Sequence, residues 1–173
     1  MRQNYVPSLA ILLVSNAVLF SGCSVSVAPV EPKAAGANQG SKYRLEAEPG
    51  NAIGVLQLKE SAEDGSSIVL VGRVGGGQKP WIDGRAAFLL VDDGVAPACR
   101  DEECGDECAH CAAALAEATT VVKFVDEQGK VIPTDAQTLL GIKDFETVVV
   151  QGIARKDKAG NVSVVADGIY VRR

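Results

Sequence analysis

Five runs of the chain combine β-branched or other apolar residues with flanking Gly, Ser, Asn or Asp, which is the pattern of β-strands. They are Ile68–Gly75, Arg85–Asp93, Thr119–Asp126, Thr147–Arg155 and Val162–Val171. The charged segment between the last two ends in Gly160-Asn161, and such turn residues between two strand patterns indicate a hairpin. The pattern therefore predicts five strands, the last two joined by a tight turn.

Two further segments repeat their apolar residues at helical spacing. They are Asn51–Ser61, before the first strand, and Thr134–Asp144, between the third and fourth strands. In the second segment Thr134 and Gln137 stand at the positions of a capping box, which marks a helix start. We therefore expect a short N-terminal helix and a second short helix between strands three and four.

This order of strands and helices is that of the OB-fold, a small, partly open five-stranded barrel. Gly72 lies inside the first strand and Gly152 inside the fourth. A residue without a Cβ lets a strand coil or bulge, which helps a sheet to close. The predicted fold class is therefore mainly β, an OB-like barrel with two short helices, and another five-stranded α+β domain is the alternative.

The N-terminus has the layout of an export signal. Leu9–Phe20 is mostly apolar but too short for a membrane span, and Ser21-Gly22-Cys23 follows it directly. Small residues before a cysteine resemble the lipobox of bacterial lipoproteins, in which the cysteine is acylated and becomes the first mature residue. The expected protein is exported and lipid-anchored at Cys23 to the bacterial cell envelope, on the periplasmic side or the cell surface. A plain cleaved signal and an uncleaved anchor are the alternatives.

The domain boundaries follow from composition. Residues 1–22 are assigned to the signal and residues 23–50 to the acylated cysteine and a flexible tether, because no apolar period is sustained there. Residues 51–173 are assigned to one barrel domain, with a cysteine-rich insert over residues 99–111.

Charge and aromatic content argue against nucleic acid as a partner. The chain carries 17 basic against 22 acidic residues, and its aromatic residues are one Trp, three Tyr and four Phe. An acidic domain repels a polyanion, and so few rings cannot build repeated base-stacking platforms. The expected partners are the membrane, through the lipid anchor, and a protein or small molecule.

The insert holds the four cysteines other than Cys23, namely Cys99, Cys104, Cys108 and Cys111. In an oxidising compartment they would form two disulfides. The same thiolates, with His110 as a possible substitute for one of them, would instead close a tetrahedral Zn²⁺ shell. In a third interpretation Cys108 and Cys111 form a redox pair at the start of a helix. All three remain open.

OB-like barrels commonly bind ligands through the loop between strands one and two and the surface around strands two and three. The candidate ligand-binding side chains there are Arg73, Lys79, Trp81 and Arg85. For Trp81 the alternative is a ring that plugs the barrel end. No catalytic residue is assigned, because the sole histidine stands among cysteines and leaves no free base for a Ser-His-Asp system.

Four segments read "VGRVGG", "DGRAAFLLVD", "KFVDEQGK" and "VVVQGIARKDKAGNVSVVADGIYV". Together they resemble a family of small exported or lipid-anchored OB-like proteins of planctomycete bacteria, from about Asn51 to the end of the chain. The resemblance implies the fold and the envelope location and implies no activity. The sequence thus predicts a non-catalytic, lipid-anchored envelope binding or interaction module. The alternative is an exported thiol-redox or metal-handling protein that uses Cys108 and Cys111.

The first testable prediction concerns the anchor. The variant Cys23→Ala should be exported but unprocessed or no longer attached to the membrane, because the acylated thiol is lost. Fractionation and intact-mass measurement check this, and unchanged processing and membrane attachment in the variant would refute the lipoprotein interpretation.

Overall fold

A computed structural model describes residues 40–76, 79–95 and 109–173, with the side chains of 109–111 excepted. The strands are β1 (Ser67–Val74), β2 (Ala87–Val91), β3 (Thr119–Phe124), β4 (Thr147–Lys156) and β5 (Val162–Val171). The α-helices are α1 (Val55–Ser61), α2 (Ala109–Glu117) and α3 (Ala136–Leu140), and a 3-10 turn, Ser41–Tyr43, precedes them.

The strands close into a barrel in the order β1-β2-β3-β5-β4. Neighbouring strands are antiparallel except β3 and β5, which run parallel. The ladder between β1 and β2 covers only Arg73 and Val74 of β1, and Trp81 bridges Phe88 farther along β2. With α3 between β3 and β4, this architecture confirms the predicted OB-like small barrel.

Strand residues alternate between a filled interior and an outer face, as a half-exposed strand requires. In β3, for example, Val122 and Phe124 are fully buried while Val121 and Lys123 are partly exposed. The helices α1 and α3 add apolar side chains to the same core. The largest fully buried side chains are Phe88, Phe124, Leu58, Leu70, Leu90, Leu140, Ile142 and Ile169.

Both strand glycines lie where a Cβ has no room. A Cβ on Gly72 would come 2.7 Å from the Val91 carbonyl oxygen, and one on Gly152 would overlap the Val165 carbonyl oxygen. The β4–β5 register shifts between Gln151 and Gly152, which is a β-bulge. The sequence-based expectation that Gly152 permits a bulge agrees with this geometry.

The barrel domain extends further toward the N-terminus than residue 51. Tyr43 is 8% exposed, and its ring meets Phe124 edge to face with centroids 4.9 Å apart. Leu45 N–H donates to the Ile169 carbonyl at 2.9 Å, so this segment joins β5. Residues 40–50 therefore differ from the predicted tether, because one buried aromatic ring fixes a segment whose average composition is that of a linker.

Both predicted helices begin later than expected. Asn51 has φ 59°, and Ile53 bridges Leu70 of β1, so α1 starts only at Val55. The capping box at Thr134 is absent, because the N-cap residue of α3 is Asp135. The Asp135 side chain does not cap the helix and instead accepts the Gly84 N–H at 2.6 Å.

The second prediction follows from the bulge. Gly152→Ala should lower the free energy of unfolding by about 1–3 kcal/mol, because the added methyl group must displace the β5 backbone. Gly50→Ala is the matched control, since no atom lies within 4 Å of a Cβ there. Chemical denaturation of both variants checks this, and equal stabilities would contradict the packing described for Gly152.

Candidate binding cleft on strands β2 and β3

The outer face of β2 and β3 combines apolar side chains with a lysine. Ala87 pairs with Lys123, and Leu89 pairs with Val121. Because paired residues of antiparallel strands share a face, these four side chains lie together outside the barrel. Ile82, 40% exposed, continues this surface, since its N–H donates to the Ala87 carbonyl at 3.1 Å.

A cleft of about 280 Å³ opens on this face. Its lining residues are Ile82, Arg85, Ala87, Val121, Lys123, Lys130 and Val131. The volume is near the lower end of small-ligand pockets, about 300–1,000 Å³. The floor is apolar, and every charged lining residue is a cation.

A tight turn after β3 brings Lys130 and Val131 to the cleft. Val131 bridges Val125, so the chain reverses directly after β3. The Asp126 carboxylate accepts the N–H groups of Gln128 and Lys130, each at 2.9 Å. The side chain of Asp126 thus stabilises the turn that places Lys130 at the cleft.

Arg85, Lys123 and Lys130 form no ion pair with any residue in the described part of the chain, where two ion pairs occur elsewhere. Three like charges around an apolar floor raise the local positive potential, and low-dielectric walls strengthen it. The long stems of Lys and Arg also extend the apolar surface. The arrangement suits an anionic group attached to an apolar body.

The four side chains proposed from the sequence as ligand contacts do not form one site. Arg85 lines the cleft, whereas Arg73 pairs with Asp93 at 3.1 Å on another part of the barrel. Lys79 is exposed and does not line the cleft. The structure therefore brings only one of the four to the face of β2 and β3 where the cleft opens.

Trp81 is turned toward the barrel interior. Its ring is partly buried, packs against the core and lies 5.9 Å from the Phe88 ring. Its Nε1–H donates to the Asp144 carboxylate. This geometry corresponds to the plug interpretation of Trp81, because both the ring face and the polar atom already have partners.

Lys123 and Lys130 were missed as candidates in the sequence. The period of two in "TTVVKFVD" assigns Lys123 to the same face as Val121, which is a usable signal. Lys130 has no such signal, because its position depends on the turn that Asp126 stabilises.

The structure describes only part of the cysteine cluster. Cys23, Cys99, Cys104 and Cys108 lie outside the described residues, and His110 and Cys111 are described by backbone alone, in the first turn of α2. The proposed disulfides and the Zn²⁺ site therefore stay predictions. Elsewhere in the described residues no group of three or more potential metal ligands occurs.

The last turn of α2 is held against the barrel. Leu115 packs on the small cluster of Val91 and Ala118, and the Thr119 hydroxyl donates to the Leu115 carbonyl at 2.5 Å. Lys59 Nζ donates to the Ala116 carbonyl at 3.0 Å. Burial lowers the pKa of Lys59, and the nearby Glu117 carboxylate partly opposes that change.

Helices long and apolar enough to cross a membrane are absent from residues 40–76, 79–95 and 109–173.

Comparison with known proteins identifies no family for this chain. No family model and no curated protein matches the chain. A solved structure described as "OBody AM1L10 bound to hen egg-white lysozyme" is similar at 16% identity and a TM-score of 0.42, over 75% of this chain and 98% of that one.

The third prediction concerns the insert, which we expect to be separable from the barrel. Replacing Cys99, Cys104, Cys108 and Cys111 by Ser should leave cooperative unfolding in place with a lower midpoint. Disulfides closing such short loops contribute about 2–3 kcal/mol, against about 5–15 kcal/mol for a whole domain. Denaturation with circular dichroism checks this, and a variant that never folds would show that the insert belongs to the core.

Proposed function

We propose that this protein is a non-catalytic binding module, held at the bacterial envelope by an acylated Cys23. Its cleft on β2 and β3 binds an anionic ligand that has an apolar part. The observation that carries the proposal is the apolar cleft with Arg85, Lys123 and Lys130 around it, none of them ion-paired within the described ranges.

The chemistry of the lining residues supports an anion. Arg85 offers a planar fork that matches a carboxylate or a phosphate, and the two lysines add point charges. A charge-assisted hydrogen bond contributes about 1.5–3 kcal/mol, which is comparable to the burial of about two to four methylene groups at about 0.8 kcal/mol each. The negative end of the ligand and its apolar body therefore both contribute to affinity.

The same residues support binding rather than catalysis. The seven lining side chains include no carboxylate, histidine, cysteine or hydroxyl. General acid–base catalysis needs a group that exchanges a proton near the working pH, and nucleophilic catalysis needs an activated nucleophile. A cleft lined by four aliphatic and three basic side chains is better suited to holding a ligand.

One observation favours the thiol-redox alternative as a second candidate. The described part of α2 is Ala109–Glu117, so Cys111 lies on this helix. The sequence predicts that the helix starts near Cys108, where backbone N–H groups and the helix dipole would stabilise a thiolate. Mass spectrometry of alkylated protein purified from the envelope separates the candidates, because a redox pair should be opened to the dithiol by a mild thiol reductant and closed again by a small-molecule disulfide as oxidant.

The fourth prediction tests the cleft with the Cys23→Ser variant, which cannot be acylated. Octanoate should bind, and octanamide should bind at least about tenfold more weakly, because it lacks the charge. Arg85→Gln and Lys123→Gln should each weaken octanoate binding about tenfold or more. Titration calorimetry at two salt concentrations measures these constants, and affinity should fall as salt rises.

The matched control is Lys158→Gln, which removes the same charge at the exposed turn between β4 and β5. It should leave octanoate binding unchanged. Three results would overturn the proposal: no octanoate binding, equal binding of octanoate and octanamide, or an equal loss in the Lys158 variant.

A further inference from the structure

A second cleft, of about 460 Å³, lies on the outer surface of β1 and β4. Its lining residues include Asn51, Ser67, Val69, Gln151, Ile153 and Asp167. In the closed order β1-β2-β3-β5-β4, this surface is separate from the face of β2 and β3. The volume falls within the range of about 300–1,000 Å³ for small-ligand pockets.

The register of β1 and β4 alternates polar and apolar side chains in this second cleft. Ser67 pairs with Ile153, and Val69 pairs with Gln151. Ser67 and Gln151 are exposed, whereas Val69 and Ile153 are partly buried. The cleft thus combines aliphatic patches with neutral hydrogen-bonding groups directly beside them.

The bulge adds a carboxylate to this cleft. Gln151 pairs with Gly168 and Gly152 pairs with Ala166, so Asp167 stands opposite no residue of β4. A bulge leaves its extra residue unpaired and re-aims its side chain. Asp167 is exposed and lines the cleft, and no cationic side chain lines it.

Asn51 adds an amide from a strained backbone position. Its φ of 59° lies in the left-handed region, which costs a non-glycine residue about 1–2 kcal/mol. Asparagine tolerates this conformation better than most residues do. A glycine would be less strained at this position. The presence of an asparagine instead marks Asn51 as a candidate functional residue.

The four polar side chains of the second cleft have unused hydrogen-bonding capacity. They are Asn51, Ser67, Gln151 and Asp167. None of these side chains forms a hydrogen bond or an ion pair with another described residue. Asp64, by contrast, accepts the Lys156 N–H at 3.0 Å. The second cleft is therefore a surface of two amides, a hydroxyl and a carboxylate without protein partners.

We infer that the second cleft binds a neutral saccharide. A sugar offers several hydroxyl donors to the Asp167 carboxylate, and it offers acceptors and donors to the amides of Asn51 and Gln151. Its C–H faces match the aliphatic patches of Val69 and Ile153. The lone carboxylate and the absence of a lining cation disfavour an anionic ligand. This site is independent of the anion cleft on β2 and β3.

The fifth prediction tests saccharide binding by the Cys23→Ser variant. The probes are cellotriose and chitotriose, and binding is followed by ¹⁵N chemical-shift titration. At least one probe should shift the amides of Asn51, Ser67, Gln151 and Asp167. Asn51→Gly keeps the left-handed backbone and removes only the amide, so it should fold with at least equal stability and bind the saccharide about tenfold more weakly. Asp167→Ala should weaken binding by a similar factor.

Glu60→Ala is the matched control for loss of one carboxylate, because Glu60 is exposed on α1 and does not line the cleft. It should leave saccharide binding unchanged. The inference is overturned if neither probe shifts the four amides, if the Asn51 and Asp167 variants bind as the parent does, or if octanoate displaces the saccharide.

Discussion

Closure of the barrel depends on the parallel pairing of β3 with β5. Val121–Phe124 of β3 pair with Ser163–Ala166 of β5. In the sequence these two strands are separated by α3 and β4. The buried Thr120 hydroxyl donates to the Val162 carbonyl at 2.8 Å at the start of this contact. Without the pairing the sheet would keep two open edges, which are sites of unwanted association. The closed interior is filled by aliphatic and aromatic side chains, so ligands have only the outer surface to use.

That constraint explains why the two clefts differ in chemistry. Each is a groove between outward-facing side chains, and its character follows from which residues occupy alternate positions on adjacent strands. On β2 and β3 those positions, with the turn after β3, supply cations around an apolar floor. On β1 and β4 they supply neutral polar groups, to which the β5 bulge adds one carboxylate. A single scaffold thereby presents two surfaces of different chemistry, one with three cations and one with neutral polar groups and a carboxylate.

The strands and their order could be predicted because each is a short run rich in β-branched or other apolar residues and bounded by turn residues. Val162–Val171 agrees at both ends, and Thr147 is the correct start of β4. The sites were harder to predict, since they depend on contacts between distant segments. Nothing local in the sequence shows that the Trp81 indole N–H donates to Asp144. Nor does it show that the Asp135 carboxylate accepts the Gly84 N–H instead of capping its own helix.

Tyr43 shows a related limit of composition. The segment around it resembles a linker on average, yet the ring contact with Phe124 and the Leu45–Ile169 hydrogen bond make it part of the fold. Averages over ten residues conceal such a contact, because one aromatic side chain can bury more area than the rest of the segment together. The same limit applies to Lys130, whose place at the cleft depends on two backbone hydrogen bonds to Asp126.

The attachment of residues 40–48 to β5 has a mechanical consequence. Tension applied to the chain at Gly40, where the described residues begin beside α3, reaches the Tyr43 ring next. The Leu45–Ile169 hydrogen bond and the Glu48–Arg172 ion pair, at 2.6 Å, then share the tension with the last strand. These contacts must break before the tension reaches Gly50 and Asn51, so they shield the second cleft, which those two residues line.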